Sequence, residues 1–177
     1  PVKPPLGALG YVDMIGELLE QAQEQGLNIN AIVTPTGSAS THAGILVGLR
    51  SRNSNIPVYG ICIRRLAEIQ SHRVLERARA AAKLIDSENL IKPDDIIVDD
   101  SYLGPGYGLA NEALFEAMKL AARYEALIVD PTYSGKALAG LIGLSRREVF
   151  TRDQNVVFVH TGGTPSLFAY TGLLNGL

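Results

Sequence analysis

Apolar residues at Tyr11, Ile15, Leu18 and Ala22 fall on one helical stripe with Gly26 behind them as a stop, which predicts a helix over 11–25. The β-branched run Ala31-Ile32-Val33 predicts a short strand. It runs through Thr34 and Pro35 into the small-residue stretch Thr36-Gly37-Ser38-Ala39-Ser40-Thr41, and a second helix is expected near 42–50. The alternation then repeats, with strands expected at 58–63, 96–98, 126–129 and 156–159 and helices at 66–85, 111–122 and 135–144. These strands are continuous apolar runs rather than alternating ones, so each is expected to be buried on both faces.

Helix and strand in strict alternation predict an α/β fold, a mostly parallel sheet with helices on both faces. No repeat or linker interrupts it, and residues 1–177 read as a single α/β domain. In open α/β sheets ligands sit at the carboxyl ends of the strands. Four loops rich in Gly, Ser, Thr and Asp are expected to meet there: 36–41, 100–108, 130–134 and 160–164.

Composition narrows the possible roles. At 177 residues and 46% hydrophobic the chain can bury a real core, which excludes a disordered tail. A formal net charge of -2 offers no footprint for phosphate backbones or anionic lipid, so neither nucleic acid nor membrane is expected as a partner. The N-terminal stretch resembles no signal peptide, no apolar run reaches the ~20 residues of a membrane span, and a cytoplasmic location is expected. Cys62, the one cysteine, is expected as a small core hydrophobe.

The loop Gly37, Ser38, Ala39, Ser40, Thr41 is the strongest local signal. A strand-to-helix turn of small residues presents amides and hydroxyls at a positive helix terminus, as an anion cradle does. It also fits a plain loop in which Ser40 or Thr41 caps a helix. No lysine follows the glycine as in a P-loop, and the three-glycine dinucleotide spacing is missing. Thr161-Gly162-Gly163 places a hydroxyl and two adaptable peptides at a strand end, or is a simple glycine turn. Tyr133 offers a stacking face or a proton carrier, or is a half-buried core residue. His42 and His160 are expected as structural histidines and His72 as a surface one. Arg73, Arg77 and Arg79, at helical spacing around Glu76, read as a solvated face, and Asp94, Asp95, Asp99 and Asp100 as polar strand ends rather than metal ligands.

Five stretches in this order and approximate spacing carry a resemblance: Leu6-Gly7-Ala8-Leu9-Gly10-Tyr11; Thr36 to Gly44; Pro105-Gly106-Tyr107-Gly108; Asp130-Pro131-Thr132-Tyr133-Ser134-Gly135-Lys136-Ala137; and His160-Thr161-Gly162-Gly163-Thr164-Pro165. Together they resemble the C-terminal half of the 1-aminocyclopropane-1-carboxylate deaminase / D-cysteine desulfhydrase family of pyridoxal 5'-phosphate enzymes. The resemblance implies a tryptophan-synthase-β-like, fold type II arrangement, of which this chain is most of the large cofactor-binding domain. It implies that Gly37, Ser38, Ala39, Ser40 and Thr41 hold the cofactor phosphate, that Thr161 meets the pyridine nitrogen, and that Tyr133 and Ser134 sit at the catalytic centre.

Ser134 and Thr161 stand where the cyclopropane deaminases carry Glu and Leu, which favours the desulfhydrase branch. The activity implied is α,β-elimination of D-cysteine to pyruvate, ammonia and hydrogen sulfide by the full-length parent, with a small amino acid as substrate and a homo-oligomer, a dimer, as the assembly. Cysteate or another β-substituted alanine is an alternative substrate, and 1-aminocyclopropane-1-carboxylate deamination an alternative reaction. The resemblance places the lysine that carries the cofactor in an N-terminal half outside this chain. The 177 residues alone are therefore expected to be inactive, either binding the cofactor noncovalently or serving only as an interaction domain. Ser40 stands where the family has glycine.

Overall fold

The computed structural model describes residues 4–174. Helix α1 (Leu6–Glu24) leads into strand β1 (Ile29–Thr36), helix α2 (Ser40–Arg50), strand β2 (Val58–Cys62) and helix α3 (Ala67–Lys83). A 3-10 turn at Pro93–Asp95 precedes β3 (Ile97–Asp99). Helices α4 (Glu112–Glu125) and α5 (Ser134–Arg146) follow in succession, then β4 (Asn155–Phe158), a second 3-10 stretch at Thr164–Tyr170 and the short α6 (Thr171–Leu174).

The four strands form one sheet in the order β3-β2-β1-β4, every pair parallel. The chain steps outward from β1 through β2 to β3 and then returns to the other side of β1 as β4. With right-handed crossovers that reversal puts successive helices on opposite faces. The cores follow it: α1, α2 and α3 bury Ile15, Leu46, Val74 and their neighbours against Ile32 and Val58 on one face. On the other face α5 packs Ala137 and Leu144 against Val33 and Ile61, and α4 covers α5 through Leu114 and Met118. Ile32 and Val33 thus serve opposite cores, which is why β1 shows no polar alternation.

Three boundaries differ from the expected ones for physical reasons. Helix α1 begins at Leu6, a full turn early, because Ala8 is locked against Gly44 of α2, whose added Cβ would lie 2.3 Å from the Ala8 carbonyl oxygen. Strand β1 runs on through Pro35 to Thr36. Val33 and Pro35 face the β4 side, and β4 ends its pairing there with Val159 N donating to Val33 O, so the missing proline amide falls where no strand asks for it. The segment 126–129, expected as a strand, forms no ladder: Ala126 takes a left-handed turn ending α4, Ile128 is exposed, and its carbonyl is met by a side chain, His160 Nε2, at 3.0 Å. A strand needs a run of paired backbone groups, and among the described residues no neighbour supplies one.

Candidate functional site

The point where strand order reverses, between β1 and β4, is where an open α/β sheet leaves a crevice at its carboxyl edge. A cavity of about 580 Å³ opens there, within the range of small-molecule sites, ~300–1,000 Å³. All four loops singled out in the sequence bear on it. Gly37, Ser38, Ala39 and Thr41 line one wall, Thr161, Gly162 and Gly163 another, and Tyr107 and Tyr133 a third.

The first wall is the turn from β1 into α2. Ala39 adopts φ 73° and caps α2, and Ser40 N lies 3.3 Å from Ser38 Oγ. The first-turn amides of α2 have no intrahelical partners and carry the positive end of the helix dipole, so this wall suits an anion. Ser40 begins α2 and is not on the cavity wall. Behind the turn, buried Gln70 of α3 donates from Nε2 to Thr36 Oγ1 at 2.8 Å and Arg65 donates from Nη1 to the Gly37 carbonyl at 3.1 Å.

Across the cavity, Gly162 and Gly163 take φ 91° and 97°, and a Cβ on Gly163 would stand 2.6 Å from Asp130 Cγ. Only glycine meets both the positive φ and the close approach. Asp130 is fully buried and accepts from Thr132 N, Tyr133 N and Ser134 N at 2.8, 2.8 and 2.7 Å, so it anchors the entry into α5. The Ser134 hydroxyl is absorbed into the same knot, donating to Asp130 Oδ1 at 2.6 Å and accepting from Asp130 N at 2.9 Å. The structure therefore brings Tyr133 and Thr161 to the cavity with the phosphate-type turn, and leaves Ser134 and Ser40 off its wall.

Tyr133 is hydrogen-bonded hydroxyl to hydroxyl with Tyr107, and their rings meet edge to face at 5.9 Å. That bond first, then burial and the nearby Tyr107 and Asp130, push the Tyr133 phenol up to about 12, with Arg64 opposing. The phenol keeps its proton at neutral pH and acts as a donor. Lys136, fully buried on α5, donates from Nζ to the carbonyls of Leu103 and Gly106, each at 2.7 Å, and so braces the loop that presents Tyr107. Burial lowers its pKa.

His42 stands on the cavity wall with its ring over β2, filling space that a side chain at Gly60 would occupy. Burial lowers its pKa to about 4, with the Val58 backbone opposing, and neither ring nitrogen has a hydrogen-bond partner among the described residues. Imidazole here is neutral. His160 is hydrogen-bonded as expected, to Ile128 O and from Gly162 N, and His72 is an exposed partner of Glu76. Buried Cys62 has its thiol pushed up to about 12 by burial and by Asp100 and Asp99, so it is inert. The acids thought to close strands have such work: Asp95 pairs with Arg50 at 2.7 Å, Asp99 with Arg147 at 2.7 Å, and Asp100 accepts from Ala67 N at 2.8 Å.

The sequence reading missed the cavity's cations. Arg64 and Arg65 follow β2 after Ile63, and Arg73 and Arg77 line the cavity with them, whereas of the three arginines of the expected solvated face only Arg79 is exposed. Two signals pointed that way: Arg64 and Arg65 occupy a strand's carboxyl end, and 70, 73 and 77 share one helical face with the buried Gln70. Among the described residues no lysine lines the cavity.

Comparison with known proteins gives a consistent picture. A family model described as pyridoxal-phosphate dependent enzyme matches residues 1–162. A solved structure of an ACC deaminase homologue is similar over 97% of this chain and 50% of its own, at 30% identity and a TM-score of 0.86. A threonine deaminase from T.th. (20% identity, TM-score 0.57, 87% of this chain and 57% of its own) and maize serine racemase (17%, 0.51, 95% and 54%) share the fold. The chain spans about half the length of these solved structures.

Proposed function

Since the chain belongs to the family of pyridoxal-phosphate dependent enzymes, in its fold type II form, we propose that the cavity is the cofactor half-site of a cytoplasmic carbon–sulfur lyase of the D-cysteine desulfhydrase type. The observation that carries the reading is the placement of two loops on one cavity at the switch point: the turn holding Gly37, Ser38, Ala39 and Thr41, and Thr161 beside two glycines. The residues present fit the group. A dianionic phosphate suits the first-turn amides of α2, and the absence of side chains at Gly162 and Gly163 on the cavity lining suits close approach of a ring.

In this reading the turn holds the phosphate and Thr161 offers its hydroxyl to the ring nitrogen. A neutral partner there leaves that nitrogen largely unprotonated, which suffices for expulsion of a good leaving group. Bound in this way, pyridoxal phosphate supplies the electron sink for a carbanion at the substrate α-carbon. Tyr133, holding its proton well above neutral pH, donates to substrate or leaving group, and Tyr107 and the Lys136-braced loop fix its position. Asp130 and Ser134 hold the backbone from which Tyr133 projects. Ser134 in place of an acid argues for elimination of sulfur over opening of a cyclopropane ring.

A second reading is favoured by the cavity's lack of a lysine among the described residues. By itself this chain binds the cofactor noncovalently and does not turn over, the carrying lysine being supplied by the other half of the parent protein. Titrating the purified chain with pyridoxal phosphate, followed by borohydride and intact mass, tests both. Saturable binding with no trapped adduct is expected. No saturable binding overturns the cofactor site, and an adduct on a lysine of this chain, with sulfide released from D-cysteine, overturns the inactive half-site.

A further inference from the structure

Lys136 is the only lysine buried among the described residues, and it is wholly shut off from solvent. An ammonium taken out of water is costly to hold unless other groups replace its hydration, and a carboxylate is the usual one. Among the described residues none of the ion pairs engages Lys136. Asp130, the one fully buried acid among them, commits its oxygens to the amides of Thr132, Tyr133 and Ser134 and to the Ser134 hydroxyl. Lys136 Nζ instead donates to two main-chain carbonyls, those of Leu103 and Gly106, each at 2.7 Å.

Converging main-chain carbonyls are how a protein strips a bare monovalent ion of its water and holds it. The lysine ammonium is itself a compact point charge with three donors, close in size to a potassium ion. The loop is shaped to aim both carbonyls at one point, with Gly104 at φ 69° between them. Its own main-chain bonds are local, from Leu103 N to Asp100 O and from Leu109 N to Gly106 O. Among the described residues, only the two bonds to Lys136 join the main chain of 103–109 to another element. Tyr107 rides on this loop, with its hydroxyl on that of Tyr133 and its ring beneath Arg64. A charge at Lys136 Nζ, and not a ladder of main-chain bonds, therefore sets where Tyr107 stands.

We propose that Lys136 is a tethered monovalent cation, its ammonium filling a dehydrated ion site built by the Leu103 and Gly106 carbonyls and so fixing Tyr107 against Tyr133. Removing the tether leaves a site for a free ion of the same charge and size, ammonium or potassium. With the ion built in, the wild-type chain has no use for a free one there. Lys136 does not line the cavity; it is a positioning residue, acting on Tyr133 through the loop and Tyr107. The inference goes beyond the cofactor reading and does not depend on it.

Limited chymotryptic digestion of the full chain, with cuts after Leu103, Tyr107 and Leu109 located by mass, tests it. Wild type and Lys136→Ala are digested at one fixed ionic strength in choline, ammonium or potassium chloride. The wild-type loop is expected to be equally resistant in all three salts. In choline chloride the variant loop is expected to be cut at least about tenfold faster, because two charge-assisted bonds are gone and cleavage follows the open population. Ammonium or potassium is expected to return it to within about threefold of the wild type by mass action on the closed loop. A variant loop as resistant as the wild type in choline chloride overturns the proposal. So does equal rescue by choline, which is too large for the site, or no rescue by any salt, which would make Lys136 a steric brace. Where Lys136→Ala does not fold, nitrogen-15 spectra of the lysine side chains of the wild type at pH 7 decide. A single ammonium protected from exchange is expected, and a neutral amine overturns the proposal.

Discussion

His42 shows how much one buried side chain decides. Burial takes its pKa from 6.5 to about 4, so between those values the unfolded chain binds a proton that the folded chain refuses. Stability is full above pH 6.5 and falls as pH drops through the window, by about 3 kcal/mol at 1.36 kcal/mol per unit. Urea unfolding at pH 7 and pH 4.5 checks this, comparing the wild type with His42→Gln, which has no such proton to gain. The wild type is expected to lose appreciably more stability across the interval than the variant, and equal losses would sink the assignment. Asp95 and Asp99, held down by their arginine and backbone partners against an opposing burial effect, lose their contribution at still lower pH in both proteins. Ser40 makes a smaller point at the same scale. The unusual backbone in the phosphate-type turn belongs to Ala39, and Ser40 is an ordinary first-turn residue, so its departure from a family glycine falls outside the cavity.

Among the elements, the tightest joint is between α1 and α2. Gly44 meets the Ala8 carbonyl and Gly48 meets Ile15 and the Val12 carbonyl, which lets the two helix backbones touch. Gly10, on the exposed side of α1, meets nothing within 4 Å. The same substitution should therefore act in opposite directions. Gly10→Ala is expected to stabilise by about 1 kcal/mol through helix propensity, and Gly44→Ala to destabilise by about 2 kcal/mol because a backbone carbonyl cannot yield to the new methyl. Chemical denaturation midpoints decide it, and a stabilised Gly44→Ala would show that the helices separate easily. This contact also explains why the helix start at Leu6 was hidden: Gly7 and Gly10 weaken the local helical signal, and packing supplies what propensity lacks.

Over the whole molecule, protection follows the sheet. β1 is paired on both sides and clothed on both faces, β2 lies between β1 and β3, and β4 is only half-buried, with one edge unpaired among the described residues. Amide hydrogen exchange is expected to be slowest in Ile32, Val33 and Val58 and faster by about tenfold or more in Val156 and Val157. Uniform protection across the sheet would mean that β4 is covered in solution, as the expected dimer would allow. No helix among the described residues is long and apolar enough to cross a membrane.

Hydrophobic periodicity and chain order determined the α/β class, the parallel sheet and the strand ends at which ligands gather, because buried faces and crossover rules act locally and leave their mark on neighbouring residues. The small residues of 37–41 and the pair Gly162 and Gly163 were legible for the same reason: a tight turn restricts residue type wherever it occurs. Tertiary structure alone decided that 126–129 is no strand, since an apolar run becomes a strand only when another backbone lies beside it. It alone decided that the Ser134 hydroxyl turns to Asp130, and that Arg64, Arg65, Arg73 and Arg77, from a loop and a helix read as unrelated, share one cavity. A charge on a helix face looks the same in the sequence whether solvent or a ligand site stands opposite, and only the fold says which.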